Sequence, residues 1–395
     1  MRLERAAVVV WAVALVVLGG SALLRPHRNT VFPIFAEAGR RWASGDDLYQ
    51  PIPGQDEYRY GPTASALLAP FGALPDGLGG LLWRLTGAAA FCAGLAWWGR
   101  TTLPPDRRAL LFLLPAPLTF GNIYNGQANV LILGLLLLAV AAAARERFNV
   151  AAACLAVAAL FKVYPVAVAL LLAVVYPRRL APRLLAALGA GLLLPFLLQR
   201  PGYVAEQYAG WVGQLAGDDR QGRPRELWYR DARLLWGLWA APMTNHAYQL
   251  MQAAGAAASA AACLRARRTG MAQTRLLAML LGLGCCWMTA LGPATESATY
   301  ILLGPTVAWL LLSAGADHHP IGLRAVWVGA YVVLVASQTA SALPNGWGRS
   351  LQSLGPQPFA ALTLLGGLLA LAVRAAPSER RTERGGGIAR TRIAS

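Results

Sequence analysis

A chain of 395 residues that is 56% hydrophobic and only 13% charged, with a mean hydropathy of +0.46, has too little polar surface to fold as a water-soluble globule. Its net charge of +17 would suggest nucleic acid as the partner of a soluble protein. Here the arginines sit in short turns between apolar runs and follow the positive-inside rule, which excludes nucleic acid and predicts an all-α polytopic membrane protein with about 10–12 transmembrane or re-entrant helices.

The first apolar run, 6–24, follows Arg2 and Arg5 and ends in Leu23-Leu24-Arg25-Pro26 with no small-residue cleavage site, so it reads as an uncleaved anchor. Further membrane segments are predicted at 62–74, 78–98, 108–120, 128–144, 150–161 with 165–175, 184–198, 242–264, 276–291, 298–313, 326–340 and 359–373. Residues 1–376 are expected to form one transmembrane domain with two long outer loops, 25–61 and 199–233. The basic, glycine-containing stretch 377–395 is expected to be a disordered cytoplasmic tail. No fixed-period repeat or pair of matched halves stands out, which weighs against a repeat-built transporter.

With the amino terminus inside, 62–74 dipping in and returning, and 150–175 as a broken pair, most arginines fall on the inner side. Most carboxylates, including Glu37, Asp46, Asp47, Asp56, Glu57, Asp218, Asp219, Asp231 and Glu296, fall outside. The expected location is the inner membrane, multi-pass, with both termini cytoplasmic. The outer acids either mark extracytoplasmic chemistry or balance the outer arginines. Cys92, Cys154, Cys263, Cys285 and Cys286 lie in apolar runs without metal-ligand spacing and read as small buried residues. His318 and His319, beside Asp317, are too few for a metal site, and no metal or cofactor is expected.

Chemistry concentrates in a few segments. The only lysine, Lys162, interrupts an apolar stretch in Phe161-Lys162-Val163-Tyr164-Pro165. A cation at the centre of a span costs about 2.5–3.5 kcal/mol even on the gentler insertion scale, so it requires an anion, an aqueous cavity or a route to the interface. Two short helices meeting at an outer-leaflet apex would aim Lys162 into an outward cavity, where a phosphate is its natural partner; the bland reading is a snorkelling lysine with no ligand. Asn125-Gly126-Gln127-Ala128-Asn129 offers amide donors and acceptors suited to sugar hydroxyls or a phosphoryl oxygen, or else serves as glue between helices. In the second outer loop, 223–233, cations and aromatics alternate, either as an interfacial helix or as a clamp for a lipid phosphate through Arg230 or Arg233. Glu296, in a short outer turn, and Asp46 and Asp47, which end an amphipathic piece 35–44 expected to lie along the interface, are possible bases toward an acceptor hydroxyl.

Taken in order, Gly45-Asp46-Asp47-Leu48-Tyr49, Tyr58-Arg59-Tyr60-Gly61-Pro62 with Ala69-Pro70, Asn125-Gly126-Gln127-Ala128-Asn129 and Phe161-Lys162-Val163-Tyr164-Pro165 resemble the family 87 glycosyltransferases of the C-type superfamily. That resemblance covers roughly residues 25 to 180. It implies a helical membrane fold with an outward cavity and a polyprenyl-phosphate sugar donor such as polyprenyl-phosphate mannose. It further implies inverting transfer to a hydroxyl of a lipid or glycan acceptor. Donor phosphate would be held by Lys162, Tyr164, Arg230 and Arg233, and the sugar would meet Tyr60, Asn125, Gln127, Asn129 and Glu296. Such enzymes carry an aspartate just after the first span, where this chain reads Asn29-Thr30-Val31-Phe32-Pro33. One of Glu37, Asp46 and Asp47 is therefore expected to act as the catalytic base. The alternative is a non-catalytic binder or transporter of a lipid-linked sugar.

Overall fold

The computed structural model describes residues 2–28, 31–313, 320–340, 343 and 346–374. Asn29, Thr30, Asp317, His318, His319 and residues 377–395 lie outside the described residues. Among the described residues every regular element is helical. The chain runs through α1 (Arg2–Leu24), α2 (Phe32–Ser44), α3 (Pro62–Gly72), α4 (Asp76–Thr102), α5 (Pro105–Leu113), α6 (Ala116–Tyr124), α7 (Asn129–Ala144), α8 (Phe148–Phe161) and α9 (Val166–Val175). It continues through α10 (Ala181–Leu198), α11 (Pro201–Gly217), α12 (Ala232–Trp239), α13 (Asn245–Arg268), α14 (Gln273–Ala290), α15 (Gly304–Ser313), α16 (Ile321–Ala340), α17 (Trp347–Gln352) and α18 (Pro356–Arg374). Short 3₁₀ segments occupy Arg225–Leu227 and Ser297–Leu303.

Among the described residues, five segments are long and apolar enough to cross a membrane on their own: α1, α4, α10, α16 and Trp347–Arg374. The outward apolar side chains of α1 (Val8, Val13, Val16) and α10 (Leu185, Leu193, Leu197) have no protein neighbour to cover them, as expected for faces solvated by lipid tails. The chain is an integral membrane protein, polytopic and all-α. Other apolar helices are shorter and enclosed by these. α7 is the central one, with Ile132, Leu133, Leu136, Leu137 and Ala139 fully buried.

Close backbone approach fixes the α4–α7 pair. A Cβ on Gly94 would lie 2.7 Å from the Gly134 carbonyl oxygen, and one on Gly134 would lie 2.5 Å from the Ala90 carbonyl carbon. Lipid tails are as apolar as leucine, so helices in a membrane gain by packing closely, and small residues at the crossing allow it.

Hydrogen bonds gather the arginine-rich helix ends on one face. Arg265 donates to Val373 O at 3.0 Å, Arg179 to Glu146 at 2.7 Å and Arg183 to Asn149 at 2.8 Å. Arg107 reaches Leu312 O and Arg267 reaches Val175 O. Cations at the C-terminal ends of α9, α13, α15 and α18 meet the negative end of each helix dipole there. The polar loops that follow α1, α6, α10 and α14 gather at the opposite face.

Four elements differ from the sequence reading. The run 108–120 is broken into α5 and α6 at Leu114-Pro115, because prolines at 115 and 117 lack the N–H groups that would continue the ladder. The piece 35–44 starts earlier, as α2, and does not lie along an interface: Phe32, Phe35, Ala36, Ala38 and Trp42 are buried against the bundle. The outer loop 199–233 contains α11, a 17-residue helix. Residues 223–233 do not form an interfacial helix; a single 3₁₀ turn stands there, followed by α12, whose first N–H groups are capped by the Asp231 carboxylate.

Candidate active site

A cavity of about 310 Å³ opens on the loop face. Its floor is the break between α8 and α9. The Lys162 backbone is extended (φ −140°, ψ 142°), and Pro165 begins the next helix, so the chain turns with the lysine at its apex. Lys162 Nζ donates to Asn129 Oδ1 at 3.0 Å, and the Tyr164 hydroxyl donates to the same oxygen at 2.9 Å. Asn129 is 1% exposed, and its amide nitrogen lies 3.4 Å from Asn122 Oδ1. The rings of Tyr60 and Tyr164 lie 5.6 and 5.4 Å from the ammonium, within cation–π range. One buried amide thus orients both donors of the Lys-Val-Tyr segment.

The turn ahead of α7 is set by α4. Trp83 Nε1 donates to Gly126 O at 2.8 Å; Arg84 donates to Ile123 O at 2.9 Å and Tyr124 O at 2.8 Å. A buried arginine here caps the C-terminal carbonyls of α6. Gly126 takes φ +66°, a left-handed conformation open to glycine, and the chain then delivers Gln127 to the cavity.

Above the lysine sits a network of charged groups. Arg59 grips Asp56 through both terminal nitrogens at 3.1 Å, and its Nε lies 3.1 Å from Asp218 Oδ2. The Tyr229 hydroxyl donates to the same Asp218 oxygen at 2.5 Å. Arg220 lies 4.4 Å over the Tyr229 ring and reaches Glu296 Oε1 at 3.2 Å. α11 holds this layer in place: Trp211 donates to Arg59 O and Gln214 to Glu57 Oε2. Burial alone would push the Asp56 carboxyl up, but its bonds to Arg59 and that residue's charge outweigh burial and hold it below the ordinary carboxylate value. Arg59 loses hydration on burial, yet its hydrogen bond to Asp56 and the charges of Asp56 and Asp218 raise its pKa further. Glu296 differs. Its carboxylate is 40% exposed and contacts Arg220 through one oxygen, and among the described residues no hydrogen bond engages the other. The turn presenting it contains Ala294 at φ +53°, which costs an L-residue roughly 1–2 kcal/mol and is sustained by the packing around it.

Of the residues singled out from sequence, Tyr60, Gln127, Lys162, Tyr164 and Glu296 line this cavity, with Asn129 directly beneath. The three first-loop carboxylates do not. Glu37 is held by Arg40 and Arg41 at 3.0 and 3.1 Å, Asp46 accepts from Ser44 at 2.5 Å, and Asp47 accepts from the Tyr49 N–H at 3.0 Å. All three are turned into local loop contacts. Arg230 is also directed elsewhere: its guanidinium donates to the carbonyls of Arg225, Glu226 and Trp228, closing its own loop. Arg233 lies 4.2 Å over the Tyr248 ring and opens on a second cavity. Asn125 ends α6, and its carbonyl accepts from the Val31 N–H at 2.9 Å. Sequence reasoning gave no role to Arg59, Asp218, Arg220 or Tyr229. Arg59 stands in the Tyr58-Arg59-Tyr60 run and Tyr229 in the 223–233 run of cations and aromatics; for Asp218 and Arg220, which join loops that no periodicity connects, no signal existed.

No curated protein matches this chain. Among solved structures, ArnT from Cupriavidus metallidurans bound to undecaprenyl phosphate is similar at 17% identity, covering 93% of this chain and 76% of that one, with a TM-score of 0.42. The model of glycosyltransferase family 87 matches residues 58–291, from the loop carrying Arg59 through the end of α14, which is more than half of the chain. The match takes in Lys162, Asn129, Arg59 and Asp218, and the chain belongs to glycosyltransferase family 87.

Proposed function

We propose that this glycosyltransferase moves a hexose, mannose in the first instance, from a polyprenyl-phosphate donor to an acceptor hydroxyl, with inversion. We place the reaction on the extracytoplasmic face of the inner membrane, with both termini cytoplasmic. The observation that carries the reading is the cavity itself. Apolar residues (Val31, Ile34, Phe35, Phe161, Val163) share its wall with an ammonium oriented by Asn129, with the paired Arg59, Asp56 and Asp218, and with the Glu296 carboxylate, whose second oxygen accepts no hydrogen bond among the described residues. An amphipathic wall around one fixed cation suits a lipid phosphate, whose chain needs apolar surface and whose head needs a donor.

In the proposed reaction Glu296, in place of the first-loop carboxylates, takes the proton from the acceptor hydroxyl. The acceptor oxygen then bonds to C1 of the sugar from the face opposite the phosphate. The C1–O bond to phosphate breaks, and its electron pair stays with the departing polyprenyl phosphate. Lys162, assisted by the Tyr164 hydroxyl, stabilises the charge that grows on that oxygen. A preoriented donor in a site sheltered from water is worth roughly 10²–10³ in rate. Arg59 adds positive potential but is committed to Asp56 and Asp218, so its task is to hold the layer above the sugar.

The test is incubation of purified protein with labelled polyprenyl-phosphate mannose and a panel of acceptors. Acceptor-dependent release of polyprenyl phosphate is the expected result. Saturable binding with no turnover in any acceptor would make the chain a carrier-binding protein instead. Orientation is checked separately by introducing Gln127→Cys and treating sealed vesicles with a membrane-impermeant thiol reagent; reaction from the cytoplasmic side would sink the assignment.

A further inference from the structure

A second cavity of about 290 Å³ adjoins the first on the loop face. It is built from the end of α11, the 218–233 loop, the start of α13 and the turn at Pro293-Ala294. The two cavities share Leu215, Asp218, Tyr229, Pro293 and Ala294 as a common wall. Their chemistry differs. The second keeps Leu215, Ala216, Pro293 and Ala294 but lacks the Val31, Ile34, Phe35, Phe161 and Val163 lining of the first. Its walls carry the amides of Gln221 and Gln249, the Asp219 carboxylate, and the aromatic faces of Trp228 and Tyr248.

We propose that this second cavity is the acceptor site and that it takes the terminal sugars of a neutral saccharide. The proposal rests on the donor reading of the first cavity. Four observations support it. First, the side-chain amides of Gln221 and Gln249 make no hydrogen bond among the described residues, so donors and acceptors of both kinds are open to a ligand. A polyhydroxylated ligand needs that mixture; a simple anion or a lipid tail does not. Second, the cations are already committed: Arg220 to Glu296 and the Tyr229 ring, Arg233 to Asn245 at 2.7 Å and the Tyr248 ring. With Asp218, Asp219 and Asp231 alongside, the cavity carries no excess of positive charge for a phosphate. Third, Trp228 donates its N–H to Arg223 O at 2.8 Å, which fixes an indole at the rim. An anchored aromatic offers an apolar face to the C–H side of a sugar ring. Fourth, the size lies at the small end of the range for ligand sites, roughly 300–1,000 Å³, which suits one or two terminal sugars rather than a whole glycan.

Arg220 links the two sites. It stands at the second cavity, while its guanidinium holds Glu296, which opens on the first. A saccharide hydroxyl entering past Tyr229 therefore arrives beside the carboxylate assigned to deprotonate it.

The experiment is saturation-transfer NMR on the full chain in nanodiscs with a panel of neutral mono- and disaccharides, alongside direct binding of labelled polyprenyl phosphate. The double variant Gln221→Ala/Gln249→Ala is expected to weaken saccharide binding about tenfold or more, given about 1 kcal/mol per hydrogen bond. Polyprenyl phosphate affinity should stay within about twofold. Rescue by Gln221→Asn/Gln249→Asn would separate ligand contacts from a folding defect. Unchanged saccharide affinity in the double variant overturns the proposal. So does absence of any neutral saccharide binding to the wild type, or loss of that binding in Lys162→Met alone. Wild-type protein that binds saccharide but no polyprenyl phosphate would sink the donor reading and leave the saccharide site standing.

Discussion

The two adjoining cavities are made of nearly the same loops yet differ in what surrounds their polar groups. In the first, Lys162 and the half-free Glu296 stand beside the paired Arg59, Asp56 and Asp218, with Val31, Ile34, Phe35, Phe161 and Val163 as the apolar part of the wall. In the second, the arginines are held by Glu296, Asn245 and aromatic rings, Asp231 caps α12, and the amides of Gln221 and Gln249 make no hydrogen bond among the described residues. A partly buried ammonium that no carboxylate pairs among the described residues is strong toward a charged ligand because little water screens it, whereas a neutralised polar surface discriminates by hydrogen-bond pattern. Division of labour between phosphate recognition and hydroxyl recognition follows from that contrast.

The largest test of the contrast is Lys162→Met. Among the cations lining the first cavity, it removes the one that no carboxylate pairs among the described residues, while roughly keeping length and packing. Turnover should fall by roughly 10²–10³-fold, and polyprenyl phosphate binding should fall with it while saccharide binding persists. Retained turnover measured on folded, monodisperse protein would erase the distinction between the cavities. Glu296→Gln comes next: loss of a general base lowers the rate on the order of 10²-fold, with KM for either substrate little changed, since the amide still accepts from Arg220. If kcat survives, Asp56 or Asp218 is the better candidate.

A third prediction concerns the floor of the second cavity. Burial pushes the Asp231 carboxyl up to about 6, opposed by the N–H of Leu234 and the charge of Arg233. Its folded pKa then exceeds the unfolded value, so the native state binds the extra proton between about pH 4 and 6. The resulting stability is present below that window and is lost as pH rises through about 6, by up to roughly 3 kcal/mol. Thermal unfolding of the purified protein between pH 4 and 7 should show this slope, and Asp231→Asn, which still caps α12, should flatten it. The smallest effect is expected from Asp47→Ala and Glu37→Ala. Glu37 is held by Arg40 and Arg41 of its own helix and Asp47 by the Tyr49 N–H, so steady-state turnover should stay within about twofold; a hundredfold loss would favour one of them as the base.

The comparison between loops and spans also shows where sequence reading was informative. Lys162 was legible because a lone cation in an apolar run is expensive and demands an explanation. Gln127 and Asn129 were legible because amides cluster at a helix start for a reason. The choice among candidate bases was not legible, because a carboxylate's position along the chain says nothing about which neighbours will claim it. Arg40 and Arg41 claim Glu37 from its own helix, while Glu296 is reached by an arginine 76 residues away. Helix α11 was missed because its apolar positions alternate with glycine and polar residues, and its order comes from Trp211, Gln207 and Gln214 bonding the first loop.

By itself, the sequence determined that this protein lives in a membrane, that it is built of helices, and that a cation and an amide cluster sit where apolar runs end. Those properties follow from local quantities: hydropathy over about 20 residues, proline placement and the cost of an isolated charge. Only the tertiary structure decided which carboxylate stays available and that two cavities share a wall. Pairing among Arg59, Asp218, Arg220 and Glu296 joins loops far apart in the chain, and long-range electrostatic neighbours are set by packing, not by composition.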